Sequence, residues 1–462
     1  MIENSPTTRS AAGEQPSYNR RAARKAALAA AVSTSLEWYD FFIYATAAAL
    51  VFNATFFASG SQVVAAVNSF ATVAVGFIAR PIGGIVAGHF GDKYGRKPVL
   101  VASIVLMGVA TTLIGVVPQT NIIWLAPVLL VILRVCQGLA VGAQWGGAVL
   151  LATEYAPAHR RGFYGSFAQL GVPLGVVMGN GAFLIVTSLV PGDAFLSWGW
   201  RIPFWASFVM LFVAFGIHKY MEDTPEFQQI ESKLAAAPQR KSPVMEVLRH
   251  RSGTVFMAGG TYLVGVVMFY LTITGAVQFA TTSLGIPRAD VLTLVLISSA
   301  LLIPLVPLTA HLSDVFGRKR IYGIGIVGML LWAIPMWELL SRASSDNLWP
   351  MAVAMILSVV VMSFQTGPQA ALFSELFPPE VRYSGASLGY QAAAIVAGFA
   401  PMVMVALIAG DPNNAWRVGV MVAALAVLAL LCLIGISRST AATPKARADS
   451  APGPLPARST AV

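Results

Sequence analysis

The sequence predicts an all-α membrane protein: twelve transmembrane helices in two pseudo-symmetric six-helix lobes. Three observations predict it: the composition, the recurrence of long apolar runs, and an internal repeat. The chain has 462 residues, of which 56% are hydrophobic and 11% charged, with a mean hydropathy of +0.71. A soluble domain carries about 25% charged residues, so a water-soluble globular protein is excluded, as are a disordered chain, a collagen-like fibre and a disulfide scaffold. Twelve spans of roughly 20 residues need about 240 positions, which the length accommodates. The 41 Gly and 27 Pro suit membrane helices, where both are commoner than in soluble ones. Cys136 and Cys432 lie inside apolar runs, which gives neither a disulfide framework nor metal-ligand spacing and marks them as buried packing residues.

Residues 1–27 read as a cytoplasmic N-terminal tail ending in Arg20, Arg21, Arg24 and Lys25. The apolar run that follows is longer than a signal-peptide core and lacks a cleavage site, so a retained first helix is expected. Apolar stretches recur at 28–54, 63–90, 98–117, 122–152, 163–190 and 201–220, then at 253–282, 290–312, 320–341, 349–375, 384–410 and 415–436. The organisation is therefore an N-terminal lobe over 28–220, a cytoplasmic inter-lobe loop over 221–252 and a C-terminal lobe over 253–436. The Ala-, Pro-, Ser- and Arg-rich stretch 437–462 reads as a disordered cytoplasmic tail.

The net charge of +10 has a topological explanation. With the N-terminus inside, 24 of the 30 Lys and Arg fall on inner segments. Four fall outside (Arg201, Arg288, Arg342, Arg417), and Arg80 and Arg134 sit within spans. Lys and Arg stay on the cytoplasmic side during insertion, so both termini are expected in the cytoplasm. The basic balance then does not call for nucleic acid as a partner; the partners expected are the lipid bilayer, protons and a small molecule.

The two halves repeat. Gly-His-Phe-Gly-Asp-Lys-Tyr-Gly-Arg-Lys at 88–97 matches Ala-His-Leu-Ser-Asp-Val-Phe-Gly-Arg-Lys at 310–319, so His89, Asp92, Gly95, Arg96 and Lys97 each recur 222 positions later. Glu154, Pro157 and Arg161 recur as Glu375, Pro378 and Arg382, and Trp200-Arg201 is echoed by Trp416-Arg417. Six is an even number of spans, so both copies run the same way through the bilayer. This is a parallel duplication of the kind found in two-lobed carriers.

These residues carry a family resemblance. The loop Gly91-Asp92-Lys93-Tyr94-Gly95-Arg96-Lys97 resembles the signature of the major facilitator superfamily. Ser35-Leu36-Glu37-Trp38-Tyr39-Asp40-Phe41-Phe42, Arg134-Val135-Cys136-Gln137-Gly138, Glu154-Tyr155-Ala156-Pro157 and Gly199-Trp200-Arg201-Ile202-Pro203-Phe204 resemble its metabolite:proton symporter family. So do Thr224-Pro225-Glu226-Phe227, Glu375-Leu376-Phe377-Pro378 and Arg382-Tyr383-Ser384-Gly385. The resemblance implies the major facilitator fold and transport of a small organic acid, such as shikimate or a dicarboxylate, or of a zwitterion such as proline or betaine, with protons. The Arg382–Ser387 stretch is most similar to the shikimate branch, and the stretch 437–462 lacks the heptads of osmosensory members. One departure is Gln144, in Gly142-Ala143-Gln144-Trp145, where relatives usually have Glu.

An ionised side chain within the bilayer costs several kcal/mol unless paired or hydrated, so it is a functional candidate by default. Glu37 lies 12 residues beyond Lys25, hence roughly 18 Å into the membrane; Asp40 is one turn further on the same helical face. Arg80 and Arg134 have overlapping depths. An Arg fork offers a carboxylate two parallel donors, so Arg80 and Arg134 are the expected anion ligands, with Tyr39, Gln137 and Gln365 as further substrate-binding candidates. A carried proton needs an exchangeable acid, which makes Asp40, and then Glu37, the proton-coupling candidates. The competing reading is a static ion pair that locks span one to its neighbours. Tyr262, Tyr270, Gln169 and Tyr390 are cavity-lining or helix–helix hydrogen-bonding residues on the same reasoning.

Asp92, Arg96, Lys97, Glu154, Arg161, Asp314, Arg318, Lys319, Glu375 and Arg382 lie at inner span ends and are the expected gating residues. There, interface charges can form and break between two conformers. Gly138, Gly142 and Gly146, like Gly171, Gly175 and Gly179, are spaced by four and leave helix faces open to close packing. Gly385-Ala386-Ser387-Leu388-Gly389 matches a nucleophile-elbow pattern, which needs a strand before it and here opens a membrane helix. No phosphate loop, zinc-protease or dinucleotide motif occurs.

The reading is thus a transporter and not an enzyme: a monomeric, proton-coupled symporter of a small organic acid in the bacterial inner membrane. It works by alternating access, without a cofactor and driven by the proton gradient. Alternatives are a symporter of a zwitterionic osmolyte, an efflux antiporter of the same fold, suggested by Gly171–Pro173–Gly175, and a membrane sensor on a transporter scaffold.

Overall fold

In the computed structural model of the chain, the residues described are 20–52, 55–57, 71–72, 75–87, 90, 96–119, 122, 124–190, 192–212, 216, 243–378, 381–408 and 411–448. Regular structure among them is helical, apart from one isolated antiparallel bridge between Ser344 and Asn347. The first half holds α1 (Arg20–Ala47), α2 (Val75–Ala87), α3 (Arg96–Ile114), α4 (Leu125–Glu154), α5 (Arg161–Leu189) and α6 (Ile202–Ala206). The second holds α7 (Pro243–His250), α8 (Ser252–Tyr270), α9 (Ala276–Thr282), α10 (Arg288–Phe316), α11 (Arg318–Leu340), α12 (Trp349–Leu376), α13 (Arg382–Gly398), α14 (Ala400–Ile408) and α15 (Trp416–Ala448).

Eight helical stretches among the described residues are long and apolar enough to cross a membrane, and they match the expected spans four, five and seven to twelve. Val75–Ala87 and Val101–Ile114 are shorter apolar helices inside spans two and three. A π-helical turn, Leu271–Gly275, joins α8 to α9 within span seven. The exterior is apolar: Leu189, Phe256 and Leu331 are 75%, 71% and 71% exposed, which places lipid where a soluble protein meets water.

Two boundaries differ from the sequence reading. α1 begins at Arg20, inside the expected tail, because Ala23 and Ala27 pack on Ala156 and Tyr164 and extend the helix beyond the lipid-spanning run. α15 continues to Ala448, twelve residues into the stretch expected to be disordered.

Close packing within the first half depends on small residues. A side chain at Gly138 would strike the Gly76 carbonyl, and one at Gly142 the Arg80 carbonyl and the Gly84 amide, so α4 lies directly on α2. Gly171, Gly175 and Gly179 do the same for α5 against Thr34, Trp38 and Phe42 of α1. The repeated Trp-Arg pair serves differently in the two halves. Trp200 is fully buried against Phe52, Phe56 and Phe204, and Arg201 donates to the Gly115 and Val117 carbonyls. Trp416, by contrast, is 45% exposed.

Candidate functional site

Polar side chains inside the first half form one continuous hydrogen-bonded chain. Asp40 on α1 accepts from the Thr111 hydroxyl of α3 (2.6 Å) and from the Ser207 hydroxyl that follows α6 (2.7 Å). Thr111 accepts in turn from Gln137 Nε2 of α4 (2.7 Å), and Gln137 Oε1 accepts from Arg134 Nη1 (3.0 Å). Asp40, Thr111, Gln137, Arg134 and Ser207 are all buried. Arg134 lies 4.2 Å from the Tyr44 ring centroid and 5.2 Å from that of Phe41. Its Nε has no hydrogen-bond partner and occupies the space above Gly76 that a side chain would fill.

Glu37 and Arg80 face the second half. Arg80 lies 4.3 Å from the Phe77 ring centroid and 5.5 Å from that of Phe41. Glu37 is within electrostatic reach of Arg80 and Asp40, and its Oε2 is buried without a partner. Opposite them stand Tyr262 and Tyr270 of α8 and Tyr390 of α13. Tyr262 and Tyr390 stack at 4.9 Å, and the charges of Glu37 and Arg80 reach both Tyr262 and one further tyrosine each. Trp38, Phe41 and Phe77 of the first half meet Phe269 and Tyr270 of the second edge to face or tilted, closing the two halves on each other at this depth. A carboxylate placed here would find a buried guanidinium from the first half and tyrosine hydroxyls from the second.

Nearer the end of the bundle where α4 finishes and α5 begins, the halves are tied by polar contacts. Gln169 of α5 donates to Gln369 of α12 (2.8 Å). Asp314 at the end of α10 accepts from the backbone amides of Gly162 and Phe163 (2.9 and 2.8 Å), the first turn of α5, where a carboxylate both caps the helix and meets its positive dipole end. Asp314 also pairs with Arg318, and Arg318 with Glu375 (3.4 Å); Glu154 and Arg382 lie 3.9 Å apart. Gly317, between α10 and α11, has φ +97°, the left-handed conformation that reserves this position of the repeated loop for glycine. Arg161 opens α5 beside these contacts, and Lys319 lines a surface pocket with Arg318, Arg320 and Glu375. Asp92 lies outside the described residues, as do the side chains of Arg96 and Lys97.

Three of the expected substrate contacts have other work. Tyr39 donates to the Pro203 carbonyl (2.7 Å) and Gln365 to the Thr261 carbonyl (2.8 Å), each tying helices within one half, and the Gln137 amide is engaged at both ends. The two intramembrane acids differ in their partners: Glu37 is in reach of Arg80 beside the second half, while Asp40 is hydrogen-bonded inside the first, and both guanidinium groups lie beside the Phe41 ring. Thr111, Ser207 and Gln369 were missed because a lone hydroxyl or amide in an apolar run carries no periodic or charge signal. Gln144 is fully buried with neither amide atom partnered.

The family profile described as "Sugar (and other) transporter" matches residues 26–247, and that described as "Major Facilitator Superfamily" matches residues 252–461. The chain is 38% identical over 394 residues to the shikimate transporter of Escherichia coli (strain K12), covering 85% of this chain and 89% of the relative. It is also 38% identical over 416 residues to the inner membrane metabolite transport protein YhjE of that organism, covering 89% and 93%. A proline/betaine transporter of Escherichia coli (strain K12) is 30% identical over 397 residues, 84% and 79% of the two chains. Among solved structures, the proton:xylose symporter XylE bound to 6-bromo-6-deoxy-D-glucose superposes with a TM-score of 0.71 at 20% identity, covering 91% of this chain and 96% of that one.

Proposed function

Because the chain belongs to the major facilitator superfamily, a family of transporters and not of enzymes, we propose that it is a proton-coupled symporter of a small organic acid that works by alternating access. The observation that carries this reading is the division of the buried charges. Arg80 stands at the junction of the halves with tyrosine hydroxyls opposite it, and Asp40 is wired to Arg134 inside the first half. Arg80 and Arg134 bind the carboxylate of the cargo, and Tyr262, Tyr270 and Tyr390 supply hydroxyls from the second half. Asp40 is the group that takes up and releases the carried proton, and Glu37 tunes Arg80. Asp314 and its partners on α5, together with Gln169–Gln369 and Glu154–Arg382, hold the cytoplasmic side shut until the loaded carrier rocks.

The named inner-membrane relative and the distribution of basic residues support a bacterial inner-membrane location with both termini in the cytoplasm, and the protein acts as a monomer. Residues 28–220 and 253–436 are the two lobes that rock, joined by 221–252.

The test is uptake into proteoliposomes of labelled shikimate, α-ketoglutarate, citrate, proline and betaine, with and without an imposed inward proton gradient. An acid whose accumulation needs the gradient is expected. Uptake that ignores the gradient refutes the coupling. A second reading, carriage of a zwitterion, is favoured by Glu37 beside Arg80, which offers one charge of each sign; proline or betaine exceeding every acid would establish it in place of the first.

A further inference from the structure

The hydrogen-bonded chain in the first half has a direction, and the donor inventory fixes it. Arginine can only donate and a carboxylate can only accept. Arg134 therefore meets Gln137 through the amide oxygen, which turns the Gln137 NH2 toward Thr111. Thr111 accepts that hydrogen and has its single proton left for Asp40, and Ser207 gives its own proton to the other carboxylate oxygen. Every bond runs toward Asp40. Such a chain is polarised from both ends and is strongest while Asp40 is charged.

We infer that Thr111 and Ser207 are positioning residues of the coupling step: their hydroxyls hold the Asp40 carboxylate and, through Gln137, make the orientation of Arg134 depend on whether Asp40 carries a proton. The inference rests on the reading of Asp40 as the proton carrier and Arg134 as an anion ligand.

Adding one proton to Asp40 converts one of its two oxygens from acceptor to donor, and each oxygen already faces a hydroxyl that donates to it. Whichever oxygen is protonated, the hydroxyl facing it must swing its own proton away and accept in its place. If it is Thr111, its oxygen accepts from both Asp40 and the Gln137 NH2, the polarisation toward the carboxylate is lost, and the hold of the Gln137 amide oxygen on Arg134 Nη1 weakens. Arg134 is built to use that release. Its Nε is buried and without a hydrogen-bond partner, and Gly76 leaves the room beside it that a larger residue would take. A guanidinium freed at Nη1 offers Nη1 with Nη2 as an end-on fork, or the open Nε with Nη2 as a side-on one, each a pattern a carboxylate takes bidentately. The charged or titratable groups in electrostatic reach of Asp40 are Glu37 and Tyr39 on its own helix and Arg134 on α4. α3 and the segment after α6 bring the neutral hydroxyls of Thr111 and Ser207, so the two hydroxyls are the parts of this environment that can reorient without moving a charge.

The experiment compares Thr111→Val, which keeps the shape and removes the hydroxyl, with Thr111→Ser, which keeps the hydroxyl. Two readouts are taken in proteoliposomes: accumulation driven by an imposed proton gradient, and substrate exchange at equal pH on both sides, with the acid identified from the uptake panel. A hydrogen bond to a charged group contributes enough for its loss to change an equilibrium roughly tenfold or more. T111V is expected to lose roughly that much gradient-driven accumulation relative to exchange, and T111S to restore it; Ser207→Ala is expected to shift the same ratio in the same direction. T111V accumulating like the parent, or T111V and T111S behaving alike, overturns the inference. Asp40→Asn run in parallel separates the layers: if it accumulates normally under the gradient, the proton-carrier reading itself fails, whereas if it is uncoupled and T111V is not, only the role of the hydroxyls fails.

Discussion

Replacing Asp314 with alanine should open the cytoplasmic side. The carboxylate at the end of α10 accepts two backbone N–H groups of α5, at 2.9 and 2.8 Å, across the junction of the halves. Its side chain is 3% exposed, so little water competes and the upper part of each range applies. An N-cap acceptor contributes about 0.5–2 kcal/mol and a carboxylate at a helix N-terminus a further 0.3–1 kcal/mol or so. Removing both should shift the balance between closed and open forms by about 2.5 kcal/mol, or roughly seventyfold. Arg318 keeps Glu375 as a partner, so the loss falls on the contact between halves. Spin labels at Arg160→Cys and Val315→Cys, with Cys136 and Cys432 replaced by serine, report the separation of the two inner helix ends by pulsed electron paramagnetic resonance. A population at longer distance should grow in Asp314→Ala, and Asp314→Asn, which keeps one acceptor oxygen and loses the charge, should fall between. Identical distance distributions in all three proteins would refute the assignment of Asp314 to the gate.

Other variants separate site from scaffold. Asp40→Asn should abolish gradient-driven accumulation while leaving exchange, read in the same vesicles. Arg80→Lys keeps the charge and loses the planar fork, and should raise KM for a carboxylate about tenfold, as the loss of one charge-assisted bond implies. Tyr39→Phe removes a bond to the Pro203 carbonyl and should lower stability by about 1 kcal/mol with KM unchanged; a raised KM would return Tyr39 to the substrate. Gly142→Ala places a methyl on the Arg80 carbonyl, and should cost roughly 1–3 kcal/mol of stability by overpacking, measured as a lower Tm. Gly181→Ala, with nothing within 4 Å of the added carbon, is the matched control.

The helices were legible because burial in lipid writes itself as long apolar runs, and the charged loops at the helix ends were legible because duplication copied them: Asp314 and Gly317 stand out only beside Asp92 and Gly95. The intramembrane charges were equally plain, since each is costly enough to be rare. What could not be read was how they are shared out. Glu37 and Asp40 lie on one face of α1 at similar depth, yet one meets Arg80 and the opposite half while the other is bonded inside its own. That division is set by which neighbours reach α1, and it comes from α3 and the segment after α6, through two residues that are chemically ordinary. Tyr39 and Gln365 could be read either way for the same reason: a polar group in an apolar helix serves a cargo or a neighbouring carbonyl equally well in sequence, and only the fold says which is within reach.

The same distinction sorts the contacts by what a rocking carrier must break. Bonds within one half, such as Tyr39–Pro203 and Gln365–Thr261, need not break for the halves to move and so can be strong. Bonds between halves, such as Gln169–Gln369, the Asp314 cap and Glu154–Arg382, must be made and lost each turn. Each of these is a single amide pair, a cap or a long ion pair, worth about 1 to 2 kcal/mol. Two states of comparable population need small differences of this kind, since 5.5 kcal/mol or so already carries an equilibrium from 1:99 to 99:1. Asp40 and Arg134 are bonded inside one half, and the contacts between halves are of the weaker class. On the proposed coupling, a proton on Asp40 acts inside the first half, and Arg134 carries its effect toward the junction without loosening the helices around it.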